Sequence, residues 1–402
     1  MMRFLLQGLS AMLLTFGASA QAAVIDLWPQ NLRELPAWRA GAQAGPADRK
    51  TAEAAEPLAR GDFAAAESIL AEARRLDPGS PAPLLGMAEM EMRRDQPDLA
   101  RRWLDEALEV APADPRVSSA LARYFRYRGN NADAERWFRN AISLDPGLPV
   151  LECDLGDFEL EAKGRPDLAA KAYSRAVRLN PAYPGGHYGL GRSLLLQNQL
   201  PEAEASLLEA AELAPENPLP LQTLGELYGY QKRFDEAIES FAHALELAPD
   251  FLPALVARGE AYLLIGKYAE AVDDFRAIVE AVPQSDEAHF SVGRAFEAAG
   301  NIQEAKEAYR RAVTINADKA VALNNLAWLM VQTQDEVDQA VQHAEHAVRI
   351  APEVAAFHDT LGAAYRAQGK TEAARNAYQR ALALDASLQS SAEALRELTT
   401  AR

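Results

Sequence analysis

Small and bulky apolar positions recur along this chain with a period of 34 or 35 residues. The most regular position is small and holds alanine in all ten copies: Ala66, Ala100, Ala134, Ala169, Ala203, Ala237, Ala271, Ala305, Ala340 and Ala374. Four residues later, nine of the ten copies have a bulky side chain such as Leu70 or Phe138. Seven residues later, nine copies have another alanine. These spacings place the three positions on one helical face, so each copy predicts a helix packed along a stripe.

Each copy also predicts another helix that precedes this one in the chain; we call the earlier helix the first helix of the repeat. A small residue such as Gly156 or Gly293 lies twelve or thirteen residues before the marker alanine, where two helices approach closely. Eight of the ten copies also have a proline five residues after their second small position, and proline cannot continue a helix. Each repeat is therefore predicted to be a pair of antiparallel helices.

Helix pairs with this spacing resemble the tetratricopeptide repeat family over residues 48–386. The resemblance implies an all-α, right-handed α-α superhelical solenoid of about ten helix pairs, each burying its face against its neighbours. Pro57 lies inside the first helix of repeat one and predicts a degenerate cap. Repeats four and nine have one extra residue each, before Ala169 and before Ala340, which we place in the turns. Residues 387–402 predict a C-terminal capping helix.

Residues 1–22 have the layout of a secretory signal peptide. Arg3 precedes an apolar stretch that runs through Phe16, and Ala20 and Ala22 are small residues suited to cleavage. The apolar run is shorter than the ~20 residues that span a bilayer, which favours cleavage over an uncleaved membrane anchor. The layout predicts export to the bacterial periplasm, with no membrane span after cleavage.

Residues 23–47 differ in composition from the repeats. Trp28 and Trp38 form a short apolar segment with two prolines, and a linker rich in alanine and glycine follows. Two roles are open for this segment: it covers the open end of the first repeat, or it is a docking peptide for a partner.

The net charge narrows the classes of partner, and the cysteine count excludes an internal disulfide. The net charge of -17 disfavours nucleic acid and anionic lipid surfaces. Cys153 is the single cysteine, so the chain forms no internal disulfide and relies on helix stacking.

The sequence predicts no enzyme, no cofactor and no metal site. Gly362 and the Gly-Lys-Thr that ends at Thr371 have six residues between them, whereas a phosphate-binding loop needs four. His343 and His346 are three residues apart, but no third ligand accompanies them at a recognisable spacing. No serine lies in a G-x-S-x-G turn.

The family resemblance implies a concave groove lined by the first helices, chiefly through positions two, five, nine, twelve and thirteen of each repeat. In repeat three these positions include Arg116, Arg123, Arg126 and Tyr127. Position nine is again arginine in repeats five and eight, at Arg192 and Arg294. Guanidinium groups hold carboxylates through paired hydrogen bonds, which favours an acidic partner. In the alternative, these arginines pair with Asp157, Glu226 and Glu260 of neighbouring repeats.

A second groove zone is aromatic and amide in character, at Tyr188, Tyr230, Phe290, Asn324 and Trp328. Such surfaces anchor peptides or stack on sugar rings. We therefore predict a non-enzymatic scaffold whose groove holds a segment of another protein of the cell envelope. The alternative is a component of exopolysaccharide synthesis or export, because the segments NNLAWLM and HDTLGAAYRAQGK loosely resemble exported repeat proteins of such systems.

Overall fold

The computed structural model describes residues 45–400, and over this range the backbone consists of helices joined by short turns. This confirms the all-α prediction. The predicted signal peptide and nearly all of residues 23–47 lie outside the described residues. Among the described helices, none is both long enough and apolar enough to cross a bilayer.

The described residues through Ala214 form one compact unit. Its helices are α1 (Pro46–Ala52), α2 (Ala55–Ala59), α3 (Phe63–Leu76), α4 (Ala82–Arg93), α5 (Pro97–Val110), α6 (Pro115–Tyr127), α7 (Asn131–Leu144), α8 (Pro149–Asp157) with a π-helical segment (Phe158–Ala162), α9 (Pro166–Leu179), α10 (Pro184–Leu196) and α11 (Leu200–Leu213). Successive helices pack against each other as antiparallel pairs.

A second compact unit starts at Pro215. Its helices are α12 (Pro218–Tyr230), α13 (Phe234–Leu247), α14 (Leu252–Leu264), α15 (Tyr268–Ala281), α16 (Asp286–Ala298), α17 (Ile302–Ile315), α18 (Ala320–Thr333), α19 (Val337–Ile350), α20 (Ala355–Ala367), α21 (Thr371–Leu384) and α22 (Gln389–Thr400). The last helix packs on α21, where Ala394 and Tyr378 share one buried cluster.

Local sequence explains how each pair starts and turns. In repeat eight, the Ser285 side chain accepts a hydrogen bond from the Ala288 N–H and caps the start of α16. The helix ends before Gly300, whose φ of +78° is left-handed and suits glycine. Helix α17 then starts two residues later, so the two helices run antiparallel.

Small residues mark the close crossings, as predicted. All ten marker alanines have 0% exposure. A Cβ built at Gly293 would lie 2.7 Å from the ring of Tyr309, and one at Gly156 would lie 2.7 Å from the ring of Tyr173. Each glycine therefore makes room for the bulky residue of the paired helix.

The first repeat is irregular, in agreement with the sequence. Its first helix is interrupted between α1 and α2, at Glu53 and Ala54. Pro57 has no N–H to donate to the carbonyl of Glu53, and its ring crowds that carbonyl. The break follows from this proline.

Repeat four takes up its extra residue inside the first helix. Helix α8 continues into the π-helical segment Phe158–Ala162, whose wider turn holds one more residue. The left-handed Gly164 lies 35 residues after its counterpart Gly129, so the insertion precedes the turn. Our placement of the extra residue in the turn is therefore wrong for this repeat. With the wider helical turn, Phe158 is fully buried and packs against Phe138, with ring centroids 5.4 Å apart.

Repeat nine takes up its extra residue in the turn, as predicted. Gln334 is left-handed and lies 34 residues after Gly300, so the first helix keeps its register. Glu336, with a φ of +49°, is the additional turn residue. Lys306 of α17 is 1% exposed and donates from Nζ to Asp335 Oδ2 at 2.6 Å, which fixes this turn.

Candidate functional site

Arg116 lies in a buried ion-pair network rather than on an open surface. It is 4% exposed, and its Nη1 donates to Asp48 Oδ1 at 2.7 Å. Its Nε and Nη2 donate to the carboxylate of Asp114 at 3.0 and 2.7 Å. The guanidinium group that we expected to face a partner is therefore used within the chain.

Arg126 and Arg192 lie on either side of one carboxylate. Glu161, in the π-helical segment, is 3.6 Å from Arg126 Nη1 and 3.6 Å from Arg192 Nη1. Arg192 also lies over the ring of Tyr188, 5.6 Å from its centroid. The structure therefore brings three predicted groove residues together, but with their charge balanced by an acid of the same face.

Arg123 is half-buried and acts electrostatically on Glu89, an acid of the neighbouring first helix α4. Glu89 is 3% exposed and accepts a hydrogen bond from Arg93 Nε at 3.2 Å. Burial raises the pKa of Glu89 to about 8, and the charges of Arg93 and Arg123 oppose this rise. The predicted cationic stripe is thus interleaved with buried acids.

Asp157 is the acid that precedes the π-helical segment. The Tyr173 hydroxyl donates to Asp157 Oδ1 at 2.5 Å. Burial, and then the charge of Glu161, raise the pKa of Asp157 to about 7, while the Tyr173 hydrogen bond and Arg192 lower it. Asp157 therefore titrates close to neutral pH.

Tyr127 lies at the edge of this face. It is 49% exposed, and its hydroxyl donates to Asp95 Oδ1 at 2.8 Å. Its ring is available to solvent even though its hydroxyl is engaged.

In the second unit, Arg294 pairs with Glu260 of the preceding repeat. Its Nη1 and Nη2 lie 2.7 and 3.2 Å from the two carboxylate oxygens. The alternative interpretation predicted this pair. The bidentate geometry uses the guanidinium edge that we expected to face a partner.

Phe290 on α16 and Asn324 and Trp328 on α18 are half-buried, and Phe290 and Asn324 hold position five of adjacent repeats. We call these three residues the α16–α18 patch. The Phe290 ring lies 5.7 Å from the Tyr309 ring, measured between centroids. Asn325 Nδ2 donates to the Tyr309 hydroxyl at 3.3 Å. Trp328 follows Asn324 by four residues, which places both side chains on one side of α18.

One atom of this patch is buried without a hydrogen bond. No donor among residues 45–400 reaches Asn324 Oδ1, although Asn324 Nδ2 contacts Asn325 Oδ1 at 3.4 Å. A buried amide oxygen of this kind is an acceptor for a ligand N–H.

Lys319 lies at the rim of the α16–α18 patch. Its Nζ is 5.3 Å from the centroid of Phe290 and pairs with Asp286 at 3.1 Å and Glu287 at 2.5 Å. Its charge is therefore balanced within the chain. Tyr230, at the end of α12, is 65% exposed and presents its ring to solvent.

The histidines show no metal-binding arrangement. His346 Nε2 lies 3.1 Å from Asp318 Oδ1. Burial lowers the pKa of the nearby His343, with Arg310 adding to the effect. In the described part of the chain, no three His, Cys, Asp or Glu side chains are grouped as metal ligands.

Sequence reasoning missed Glu161, Glu89 and the α16–α18 contacts of Asn325. The extra residue before Ala169 is the signal for Glu161, since a 35-residue spacing indicates a local change of helix. Glu89 holds position nine of repeat two, the position of Arg123 in repeat three, so matching positions in adjacent repeats show this pair.

The described residues thus form helical repeats in which Arg116 and Arg294, at predicted groove positions, pair with acids of the same chain. Models described as Tetratricopeptide repeat match residues 58–124, 159–218, 223–286, 266–321, 290–355 and 355–387. The chain belongs to the tetratricopeptide repeat family. Proteins of this family are generally scaffolds that bind other proteins through their concave surfaces.

Individual relatives match parts of the chain. Cellulose synthase operon protein C of Pseudomonas fluorescens is 24% identical over 203 residues, which is 49% of this chain and 15% of that protein. Anaphase-promoting complex subunit 3 of Schizosaccharomyces pombe is 27% identical over 123 residues, 31% of this chain and 18% of that protein. The chain thus spans less than a fifth of the length of these two curated relatives.

A solved structure of a tetratricopeptide repeat protein from Parabacteroides merdae aligns with 62% of this chain and 99% of its own, at 20% identity and a TM-score of 0.45. The likeness concerns the fold alone.

Proposed function

We propose that this protein is a scaffold that binds an extended, largely uncharged segment of a partner protein on the α16–α18 patch. The observation that carries the proposal is Asn324 Oδ1, a buried acceptor that no donor of residues 45–400 reaches, in a patch whose other two side chains are half-buried and aromatic. An extended segment supplies backbone N–H donors and apolar side chains together.

The charges around the patch support an uncharged partner. Arg294 is held by Glu260, and Lys319 is held by Asp286 and Glu287. Recruiting either cation would require breaking these pairs and leaving a buried or half-buried acid alone. The partner's contribution is therefore apolar contact with Phe290 and Trp328, and a hydrogen bond to Asn324.

A photo-crosslinking experiment tests this site. A photoreactive amino acid replaces Val321, which is 44% exposed at position two of α18, and in a control protein it replaces Tyr268, which is 38% exposed on α15. We expect a discrete protein adduct from position 321 that Trp328→Ala weakens. Equal adducts from both positions, or an adduct that ignores Trp328→Ala, would refute the site.

We further propose that the scaffold works in the bacterial periplasm. The signal-peptide layout of residues 1–22 supports this location. A fusion of alkaline phosphatase to residue 402 should be active in intact cells. Replacing Leu13 and Leu14 by arginine should abolish that activity, and a fusion that stays inactive with the native leader would contradict the proposal.

Exopolysaccharide synthesis or export is the second candidate. The likeness to cellulose synthase operon protein C, which extends over 49% of this chain, favours it. Deleting the gene should then lower secreted polysaccharide, and Trp328→Ala should reproduce the loss. If secreted polysaccharide is unchanged while the partner adduct still forms, the scaffold proposal stands and the role in polysaccharide synthesis or export is excluded.

A further inference from the structure

Arg126 and Arg192 differ from other groove arginines in how their N–H groups are used. Arg116 and Arg294 donate hydrogen bonds at 2.7 Å to acids of the chain. The carboxylate nearest to the guanidinium groups of Arg126 and Arg192 belongs to Glu161, at 3.6 Å from each, and neither group donates a hydrogen bond to any described residue. The side chains of Arg126 and Arg192 are 17% and 33% exposed, so their donors are within reach of a ligand.

One carboxylate is shared between these two cations. Arg126 Nη1 lies 3.6 Å from Glu161 Oε2, and Arg192 Nη1 lies 3.6 Å from Glu161 Oε1. Charge-assisted hydrogen bonds are ~2.7–2.9 Å long, so both contacts are electrostatic without a hydrogen bond. Ion pairs between partly exposed groups contribute little to stability. Moving the Glu161 carboxylate away from the two guanidinium groups therefore costs little.

Asp157 only partly balances the remaining positive charge. It is a further acid whose charge acts on Arg192, and burial is the main reason that its pKa is raised to about 7. Asp157 is therefore partly neutral near pH 7. Its carboxyl group also accepts a hydrogen bond from the Tyr173 hydroxyl at 2.5 Å. Two guanidinium charges thus face one full and one partial negative charge.

We propose that the face of α6 and α10 around Glu161 binds an acidic segment of a partner protein, whose carboxylates displace Glu161 and hydrogen-bond to Arg126 and Arg192. A carboxylate takes up paired N–H donors of a guanidinium group in a bidentate geometry. The Tyr188 ring, with its centroid 5.6 Å from the Arg192 guanidinium carbon, helps to hold that group in place. This site lies in the first unit and takes an acidic segment, whereas the α16–α18 patch takes an uncharged one.

The distance between the two arginines fits two carboxylates of an extended segment. Each Nη1 lies 3.6 Å from a different oxygen of Glu161, so the two nitrogens are at most ~10 Å apart when two C–O bonds of ~1.2 Å are included. In an extended segment, residues i and i+2 lie on the same side and ~7 Å apart. Two acidic residues separated by one other residue therefore reach both arginines.

Fluorescence anisotropy with a labelled peptide tests the site. The probe is Ser-Glu-Ser-Glu-Ser with blocked ends, and the reference peptide has glutamine in place of both glutamates. Arg126→Gln and Arg192→Gln should each weaken binding of the probe about tenfold, since each removes a charge-assisted hydrogen-bond donor. Arg136→Gln is the matched control, because Arg136 is 68% exposed on α7. It should change the affinity by less than about twofold.

Glu161→Gln distinguishes a displaced carboxylate from a structural one. It removes the negative charge that competes with the probe, so it should strengthen binding about fivefold. Unchanged or weaker binding to a Glu161→Gln protein that melts like the parent would overturn the proposal. So would equal binding of the glutamine peptide, or equal losses from Arg126→Gln and Arg136→Gln.

A crosslink to the native chain decides the matter if a variant melts early. A photoreactive amino acid replaces the central serine of the glutamate probe, and we expect crosslinks to α6, α10 or the π-helical segment. Crosslinks confined to α16 or α18, or none that unlabelled probe competes away, would overturn the proposal. Trp328→Ala should leave this crosslink unchanged, so this proposal and the proposed function fail separately.

Discussion

Arg116 and Asp48 hold the same position, the second, in repeats three and one, and their side chains meet at 2.7 Å across 68 residues of sequence. Ala82 holds that position in the repeat between them and is fully buried. A small side chain in the middle repeat is compatible with contact between the outer two. The pair therefore ties the irregular first repeat to the third.

We expect Asp48→Ala to destabilise the first unit. Removing one partner of a buried pair leaves an uncompensated charge, at a cost of about 3–5 kcal/mol, and the value should fall near the lower end because Asp114 still pairs with Arg116. Urea unfolding followed by circular dichroism measures the change. Asp98→Ala, which removes an acid 91% exposed beside Arg128, should cost no more than ~1 kcal/mol. Similar losses for the two variants would contradict a buried role for Asp48.

Gly293→Ala should destabilise the second unit by about 1–3 kcal/mol, since its Cβ would lie 2.7 Å from the Tyr309 ring. Gly229→Ala is the control, because a Cβ there meets nothing within 4 Å. It should stabilise helix α12 by up to ~1 kcal/mol. Thermal melts of the two variants should shift in opposite directions. A shift of both in the same direction would argue against the tight crossing.

Asp157 should make the first unit less stable as the pH rises towards neutral. Its pKa of about 7 in the folded chain exceeds the ordinary value of 3.8, so the folded state binds the proton more tightly than the unfolded state. Stability therefore declines between these two values as pH increases. Asp157→Asn keeps an acceptor for Tyr173 and should be more stable than the parent at pH 8, with the gap closing towards pH 4. Melting temperatures across this range test it, and a gap that is constant with pH would refute it.

The neighbours of Asp157 should shift its titration in opposite directions. The charge of Glu161 raises the pKa of Asp157 and the charge of Arg192 lowers it. Glu161→Gln should consequently lower this pKa, whereas Arg192→Gln should raise it. Carbon-13 NMR of the Asp157 carboxyl follows both shifts directly. Two shifts of the same sign would show that the π-helical segment rearranges instead of keeping Glu161 in place.

The repeat period predicted most of the fold. Each marker alanine is fully buried because every copy builds the same helix crossing, and a fixed period shows that crossing ten times. The extra residue of repeat four was misplaced for a physical reason. Spacing alone tells that a residue was added, whereas the choice between a wider helix and a longer turn depends on whether Phe158 keeps its contact with Phe138.

The groove chemistry was less accessible to sequence reasoning. Arg116 and Arg294 stand at predicted groove positions, but their partners Asp48 and Glu260 lie 68 and 34 residues away. The alternative of internal pairing named Glu260 correctly because it compared adjacent repeats. It did not find Asp48, which belongs to a degenerate repeat two copies distant.

The ion pair between Glu260 and Arg294 makes two adjacent repeats specific for each other. Each of these residues has its counter-charge in the adjoining copy, so the two copies must change in concert during divergence. A repeat moved to another place in the array would keep its helices but would have a different neighbour. Arg294 and Glu260 would then each lack the opposite charge that they have now. Permutation of the array is thereby opposed by electrostatics, even where the packing of alanines and aromatic rings would tolerate it.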